Sequence, residues 1–576
     1  MSKDDLAYSQ QLALVTNAIA KYSRLSVLKI SMKYLASKRN GSDKSSNIKN
    51  APWLVFLLIK ISSQENGRLT MNEADFVRVI NLLFRLQDYL FKPSCGNILM
   101  LFRPLINQQV WIGGGEGKSI MSLVRQCKIL GGKEKYEVAS RNVVGFGVTS
   151  FSIIWLHIFL QMVDRKDGQV FELNMLDLLF RLQAAVKIDE IINFFGYFGI
   201  RYKDLPAYFE QYKEKSNGTF EDYYYDTPLK RKPFLVSGAH VYIFNCDLIF
   251  ASFPYMLVDI VKRADLKGEL GKDIEGYVGA CLAKTSKVVH SESDLKNIYR
   301  EFLIPLKGNK FPDFAVEESD FVFVESKAVE QADWLKVSSD PVLLRKVTHD
   351  HILKALVQCQ MCAARLKSIS KYADKNFKAM VVTHGDFGFL TAANIENFIG
   401  ENLADYVREQ CGVELVIPLE QVVYITITDF EALTLGMQSG DIVLSEFISS
   451  VGNDYLSGSP KLLSEKITAM CGEDDVYGRA SEIFSVNDDF ISGVVGFVNS
   501  KRSINPTDYK MGRALSWAIP ASSSTATALR NLQPRSPAVA VLMRGAATHR
   551  ALGRWLWQSR PSCKVEHWRS RLWVCR

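Results

Sequence analysis

The sequence predicts two parts of different fold class, a large all-α domain followed by an α/β core in which helices flank a mixed central sheet. Apolar residues recur with helical spacing over most of residues 1–215. Residues 225–450 instead alternate β-branched and aromatic runs with helical segments, as α/β domains do. The 576 residues, 47% of them hydrophobic, are enough for two or three buried cores.

The N-terminal part is predicted to be helical throughout. Its clearest amphipathic run extends from Asp75 to Leu86, and the polar segment from Ser37 to Asn50 interrupts the pattern. The run from Val143 to Val163 has 21 uncharged residues, long enough to cross a bilayer. Because His157 and Gln161 lie within it, we interpret it as a buried core helix and expect no membrane partner.

The centre of the α/β part is the segment from Lys310 to Ala328. Two runs of aromatic and β-branched residues, at 311–316 and 321–324, flank a polar, turn-like stretch at 317–320. This pattern predicts a β-hairpin.

Two carboxylates and a lysine converge on this hairpin. Antiparallel neighbours lie about 5 Å apart, so Asp313 and Glu325 face one divalent ion if they project to the same side. Lys327 follows Glu325 by two residues and falls on the same face of its strand. Hydrolysis of a phosphodiester is promoted by a divalent metal ion and by a positively charged side chain beside it, which here would be Lys327.

These residues resemble the signature of the PD-(D/E)XK nuclease superfamily, in which Pro-Asp precedes a spacer and then Asp or Glu, any residue, and Lys. Here Pro312-Asp313 is followed, after eleven residues, by Glu325-Ser326-Lys327. The resemblance covers about residues 233–433 and implies a metal-dependent nuclease. By this resemblance Asp313, Glu325 and the Ser326 carbonyl would hold magnesium or, in its place, manganese, and Lys327 would activate the nucleophile.

The resemblance also implies a glutamate on the helix before the hairpin and a glutamine on the helix after it. Glu275 fits the first role, as a catalytic residue that assists the metal directly or through water. The helical segment from His349 to Lys367 offers Gln358 or Gln360 for the second. We prefer Gln358, which lies one turn before Cys362, where many relatives have tyrosine.

Further strands are predicted around this core. Residues 377–383 and 421–428 have strand composition and are separated by helical segments, and residues 233–236 and 240–244 could form an entering strand pair. Residues 451–512 are expected to form a helical C-terminal segment.

Charge does not by itself indicate a nucleic-acid partner. Residues 513–576 contain ten arginines, one lysine and one glutamate, a charge of +10, so the net +8 of the chain leaves −2 for the rest. This Arg- and Trp-rich segment is either a nucleic-acid-binding tail or an extension with little defined structure, and we expect the second. In the body, the best placed phosphate contacts are Lys230, Arg231 and Lys232, with a solvated linker as the alternative.

The leading functional hypothesis is therefore a magnesium-dependent endonuclease that acts on DNA. An RNA-directed nuclease is a weaker alternative, because the hydrolytic residues do not distinguish the two sugars and specificity lies in surface contacts. A nuclease joined to a large helical domain resembles bacterial antiphage-defence or toxin effectors, in which the helical part has a sensing or regulatory role and responds to a protein trigger. The alternative is a scaffold with a nuclease-like domain that binds nucleic acid or protein without cutting. His349, His351 and His384 are candidates for phosphate contact or for a general acid near the site, although we expect each to be an ordinary capping or surface histidine.

The cellular location is expected to be the cytoplasm. The first residues are polar and acidic, without the apolar segment of a signal peptide, and ten scattered cysteines do not form a disulfide framework.

Overall fold

The computed structural model describes residues 3–36, 51–89, 104, 115–163, 169–211, 223–285, 287–329, 333–338, 340–459, 461–472 and 476. The expected C-terminal tail at 513–576 and most of the expected helical segment at 451–512 lie outside these residues.

The first half of the chain is mostly helical. Its helices are α1 (Lys3–Ala20), α2 (Arg24–Leu35), α3 (Pro52–Ser63), α4 (Glu73–Arg85), α5 (Gly115–Leu130), α6 (Glu134–Val144), α7 (Val148–Val163), α8 (Met175–Leu182), α9 (Ile188–Phe198) and α10 (Leu205–Glu210). The short strands β1 (Glu172–Asn174) and β2 (Gly199–Arg201) lie among them.

The second half alternates strands and helices. The strands are β3 (Phe234–Ser237), β4 (His240–Ile243), β5 (Val288–Ser291), β6 (Phe314–Glu317), β7 (Phe321–Lys327), β8 (Phe377–Thr383) and β9 (Val422–Thr426). The helices are α11 (Cys246–Arg263), α12 (Lys267–Leu282), α13 (Glu292–Glu301), α14 (Asp333–Val337), α15 (Pro341–Thr348), α16 (Lys354–Lys367), α17 (Ala392–Ile399), α18 (Leu403–Cys411), α19 (Ile427–Ser439), α20 (Leu444–Leu456) and α21 (Leu463–Cys471).

A five-stranded mixed sheet organises the second half, with the strand order β5-β6-β7-β8-β9. The first three strands are antiparallel and the last three are parallel. Strand β7 is central, and its side chains alternate between two apolar layers: Val322 and Val324 enter one core, while Phe321 and Phe323 enter the other. The predicted α/β class, with helices on both faces of a mixed sheet, is thus observed.

The expectation of an all-α N-terminal domain was wrong in one respect. Strands β1 and β2 pair with the hairpin β3–β4 in a second sheet of order β1-β4-β3-β2. The entering pair at 233–244 therefore forms, but it belongs to this smaller sheet. Strands of three residues are too short to show a period of two in the sequence, so the pattern could not reveal them.

The apolar core also crosses the boundary expected near residue 215. One cluster joins Phe151, Trp155 and Phe194 of the helical part to Leu257, Ile274 and Val324 of the α/β part. The two parts thus share one continuous core.

A buried ionic group links the same two parts. Arg125 of α5 donates to Glu431 Oε2 of α19 at 2.9 Å, and Tyr277 of α12 donates to Glu431 Oε1 at 2.5 Å. The Arg125 and Glu431 side chains are only 3% and 1% exposed. Burial raises the pKa of Glu431, and Arg125 opposes that rise.

The uncharged run at 143–163 is divided by a bend. Gly145 ends α6 with a left-handed φ of 80°, and α7 begins at Val148 with Phe151 and Trp155 buried. In the described part of the chain, no single helix is long and apolar enough to cross a membrane. Helix α6 and the first turns of α7, which are bent by 75° relative to each other, reach the necessary length and apolar character only as a pair.

Candidate active site

The hairpin β6–β7 brings the two predicted acidic residues, Asp313 and Glu325, into direct contact. Its register pairs Phe314 with Val324, so Asp313 and Glu325 are the next residues on adjacent strands. The Asp313 amide donates to Glu325 Oε2 at 3.0 Å. The amide and hydroxyl of Ser326 both donate to Asp313 Oδ2, at 2.7 and 2.6 Å. Each carboxylate is thereby held by the backbone of the other strand.

Lys327 and Gln358 complete this group. The Lys327 ammonium forms an ion pair with Glu325 Oε1 and lies 3.3 Å from Gln358 Oε1. Gln358 in turn donates to the Phe311 carbonyl at 3.0 Å, which ties α16 to the segment entering β6. The glutamine bridges the lysine and the hairpin, so it fixes the position of the ammonium.

The alternative glutamine, Gln360, lies elsewhere. It is buried and bonds to the backbone of Val416 and Ile417 at distances of 2.6 to 3.0 Å. The structure thus brings Gln358, and not Gln360, to the hairpin.

Glu275 reaches the site because α12 approaches the hairpin closely. Gly279 packs on Phe314, and a Cβ atom at this glycine would lie 2.7 Å from the Phe314 ring. Glu275 lies one turn before Gly279, on the same face of α12. Burial, and then the charge of Asp313, raise the pKa of Glu275, so this carboxylate lies within electrostatic range of the hairpin acids.

Glu325 is the most strongly perturbed acid of the group. It is 1% exposed, and burial together with the Asp313 charge raises its pKa to about 7, against the opposing effect of Lys327. The charge of Lys327 acts on both Glu325 and Glu275, and that of Lys272 acts on Glu275 as well. A hard divalent cation such as Mg²⁺ binds carboxylate oxygens of this kind and offsets their excess negative charge.

The oxygens of Asp313, Glu325 and Ser326 suit magnesium only if other oxygens complete the coordination shell of the ion. Within the described residues, no group of three or more His, Cys, Asp or Glu side chains lies close enough to hold a metal ion. Magnesium commonly takes one or two carboxylates and fills its remaining positions with water and substrate phosphate. Asp313 and Glu325 with the Ser326 carbonyl fit that pattern, and Glu275 would act through water.

A π-helical turn, His349–Leu353, joins α15 to α16 next to the site. The buried Thr348 hydroxyl lies 2.9 Å from the Leu344 carbonyl and 3.2 Å from that of Arg345, so it stabilises the distorted turn. His351 lies in this turn, and partial burial followed by the charges of Lys327, Lys354 and Lys262 lowers its pKa, while Asp350 opposes them.

Sequence reasoning did not identify Lys354 or Lys272 as neighbours of the site. Lys272 lies on α12, and its charge counteracts the rise in the pKa of Glu275. Lysines on exposed helix faces are common, so neither position carried a signal before the fold was known.

The basic run at 230–232 is engaged within the chain. Lys230 forms an ion pair with Asp226 at 2.7 Å, and the Lys232 ammonium bonds to the Tyr197 carbonyl. Burial and nearby Arg263 lower the pKa of Lys232. Arg231 also has an intramolecular interaction. The structure does not bring this run to the hairpin site by any described contact.

The chain matches no family model, and neither a curated protein nor a solved structure is significantly similar to it. The functional argument therefore depends on the geometry of the hairpin site.

Proposed function

We propose that this chain is a metal-dependent endonuclease of the PD-(D/E)XK type that hydrolyses phosphodiester bonds in DNA. The observation that carries the proposal is the contact group Asp313, Glu325, Lys327 and Gln358, drawn from a hairpin and the helix that follows it. If the hairpin were only a solvated acidic turn, its carboxylates would be exposed, whereas Glu325 is buried and paired with Lys327.

The order of elements supports the same proposal. Helix α12, the hairpin β6–β7, the helix formed by α15 and α16, and the parallel strand β8 occur in the order that the resemblance implies. Each contributes its expected residue or packs against one that does. Strand β5 and helix α13 lie between α12 and the hairpin, and the short helix α14 lies between the hairpin and α15.

The roles of the side chains follow from their contacts. Asp313, Glu325 and the Ser326 carbonyl would hold magnesium or manganese, which when bound activates water and offsets charge on the phosphate. The Lys327 ammonium is positioned by Glu325 and Gln358 to orient that water and to stabilise charge on the phosphoryl oxygens.

The proposed biological role is that of a defence or toxin effector in which the helical part senses a trigger. The contact that supports a regulatory connection is the Arg125–Glu431–Tyr277 group, because Tyr277 lies two residues from Glu275 on α12. Phage plating on cells that express the wild type or Lys327→Ala tests this role. Equal plating on both would contradict it.

The test of the activity itself compares the wild type with Asp313→Asn and Lys327→Met on supercoiled DNA, linear DNA and RNA. Magnesium, manganese and EDTA are the three conditions. Glu409→Gln, an exposed carboxylate on α18, is the matched control. We expect cleavage by the wild type and the control that requires metal, and a loss of at least a hundredfold in both site variants, about 2.7 kcal/mol of transition-state stabilisation. Metal-independent cleavage, or cleavage that survives both substitutions, would refute the assignment.

A second candidate function is a scaffold that binds nucleic acid or protein without cutting. The observation that favours it is that Lys327 already balances Glu325, while the described residues contain no group of three metal-ligating side chains. This candidate predicts that Asp313→Asn binds as the wild type does and that no metal produces cleavage.

A further inference from the structure

An exposed basic surface borders the site on the side of α16. Lys354 and Gln358 lie one turn apart on this helix, and both Lys354 and His351 are exposed. The charges of Lys354, Lys327 and Lys262 all act on the His351 ring, so these cations lie within electrostatic range of it. Asp350 is the acidic group that opposes them.

A further cation lies on the side of α12. Lys272 is exposed, and it precedes Glu275 by three residues, on the same face of the helix. Its charge acts on Glu275, as does that of the acidic neighbour Glu292. Within the described residues neither Lys272 nor Lys354 forms an ion pair, although the charge of Lys272 also acts on Glu269, three residues before it on α12. Both side chains are exposed to solvent.

The catalytic hairpin lies between these two helices. Helix α12 packs on it through Gly279 and Phe314, and α16 contacts it through Gln358 and the Phe311 carbonyl. Lys272 and Lys354 are therefore carried by helices that pack on opposite faces of the sheet that holds Lys327. A single phosphate would need only one such position, whereas a polynucleotide strand offers a regular row of phosphates, one per about 3.4 Å of duplex axis.

We infer that Lys272 on one side, and His351 with Lys354 on the other, bind backbone phosphates on either side of the bond to be cut. The polynucleotide strand then crosses the hairpin from α12 to α16. This inference rests on the proposed nuclease function and specifies how its substrate lies. Contacts to phosphates carry no base information, so this surface orients the strand and does not select its sequence.

Lys354 and His351, on the α16 side, would contribute to phosphate binding in different ways. Lys354 supplies a full positive charge and so releases counterions when it binds a phosphate. His351, whose pKa is lowered, is mostly neutral above neutral pH and supplies one N–H donor without a charge. The salt dependence of binding distinguishes these two contributions.

The experiment measures fluorescence anisotropy of labelled duplex DNA, single-stranded DNA and RNA with the full chain, across a series of potassium chloride concentrations. Calcium replaces magnesium to slow cleavage. Lys272→Gln, Lys354→Gln and His351→Ala are compared with the wild type. Lys29→Gln, an exposed lysine on α2, is the matched control.

We expect Lys354→Gln and Lys272→Gln each to weaken binding several-fold and to flatten the log–log salt slope by about 0.9 for duplex DNA or about 0.7 for a single strand. His351→Ala should weaken binding with an unchanged slope at pH 8, and Lys29→Gln should bind as the wild type does. The nucleic acid that shows the steepest wild-type slope and the tightest binding is the preferred substrate.

Two results would overturn the inference and are distinguishable from each other. If the wild type cleaves in magnesium but all three variants keep its affinity and slope, the strand does not lie on this surface and the nuclease assignment stands. If the wild type neither binds nor cleaves any of the three nucleic acids, the inference and the proposed function both fail. Melting temperatures of the variants, expected to equal that of the wild type, show that the exposed substitutions do not act by unfolding.

Discussion

Replacing Glu325 by glutamine should remove a pH dependence from the stability of the metal-free protein. In the folded chain the pKa of Glu325 rises from 4.5 to about 7, because the carboxyl is buried beside Asp313. Between these two values the folded state binds a proton that the unfolded state has lost. The contribution of Glu325 to the stability of the wild type is therefore greatest below pH 4.5 and is lost as the pH rises through 7.

The magnitude follows from the size of that shift. At about 1.4 kcal/mol per pKa unit, a rise to about 7 corresponds to about 3 kcal/mol, of which about 2.5 kcal/mol is lost between pH 5 and pH 8. Glutamine does not titrate and keeps one acceptor oxygen for the Asp313 amide or Lys327. The stability of Glu325→Gln relative to the wild type should thus increase by about 2.5 kcal/mol from pH 5 to pH 8.

The assay is urea unfolding in EDTA at pH 5, 6, 7 and 8, with Glu409→Gln as the control whose difference from the wild type should not change with pH. Magnesium added at pH 8 should raise the unfolding midpoint of the wild type, since a bound ion stabilises the ionised carboxylate. It should have little effect on Glu325→Gln. Parallel pH profiles for the wild type and Glu325→Gln would refute the argument that the buried charge of Glu325 is unfavourable without a metal.

Two other substitutions test how the site is supported. Gly279→Ala places a Cβ atom 2.7 Å from Phe314 and should displace α12, lowering the rate of cleavage more than tenfold. Gly276→Ala, on the same helix, meets nothing within 4 Å and should preserve that rate. Equal rates for the two variants would show that the close approach of α12 does not position Glu275. Arg125→Met leaves Glu431 buried without its cation and should destabilise the protein by about 3–5 kcal/mol, with most of the loss recovered in Arg125→Met/Glu431→Met. A single-variant loss below about 1 kcal/mol in urea unfolding would contradict that account.

The hairpin and its acids could be predicted because the information is local. Aromatic and β-branched runs on both sides of a polar turn specify the pairing, and the pairing brings Asp313 to Glu325. The preference for Gln358 over Gln360 agrees with the structure because a shift of two residues on a helix turns a side chain away from the site.

Other features could not be predicted because they depend on long-range packing or on rare geometry. The π-helical turn at His349–Leu353 changes the helical phase, so a regular 3.6-residue period does not indicate where His351 lies. The small sheet unites strands from positions 172 to 243 with only three or four residues each. Nothing near Arg125 in the sequence indicates Glu431, which lies 306 residues away.

That separation has a consequence for synthesis of the chain. A ribosome adding about 5–20 residues per second needs roughly 15–60 s to pass from Arg125 to Glu431. Until then Glu431, the carboxylate that meets the Arg125 guanidinium in the folded chain, has not been made, and closing the shared core would bury this cation without it at a cost of several kcal/mol. We therefore expect the nascent helical part to keep Arg125 in water and to complete its core only after α19 has been made.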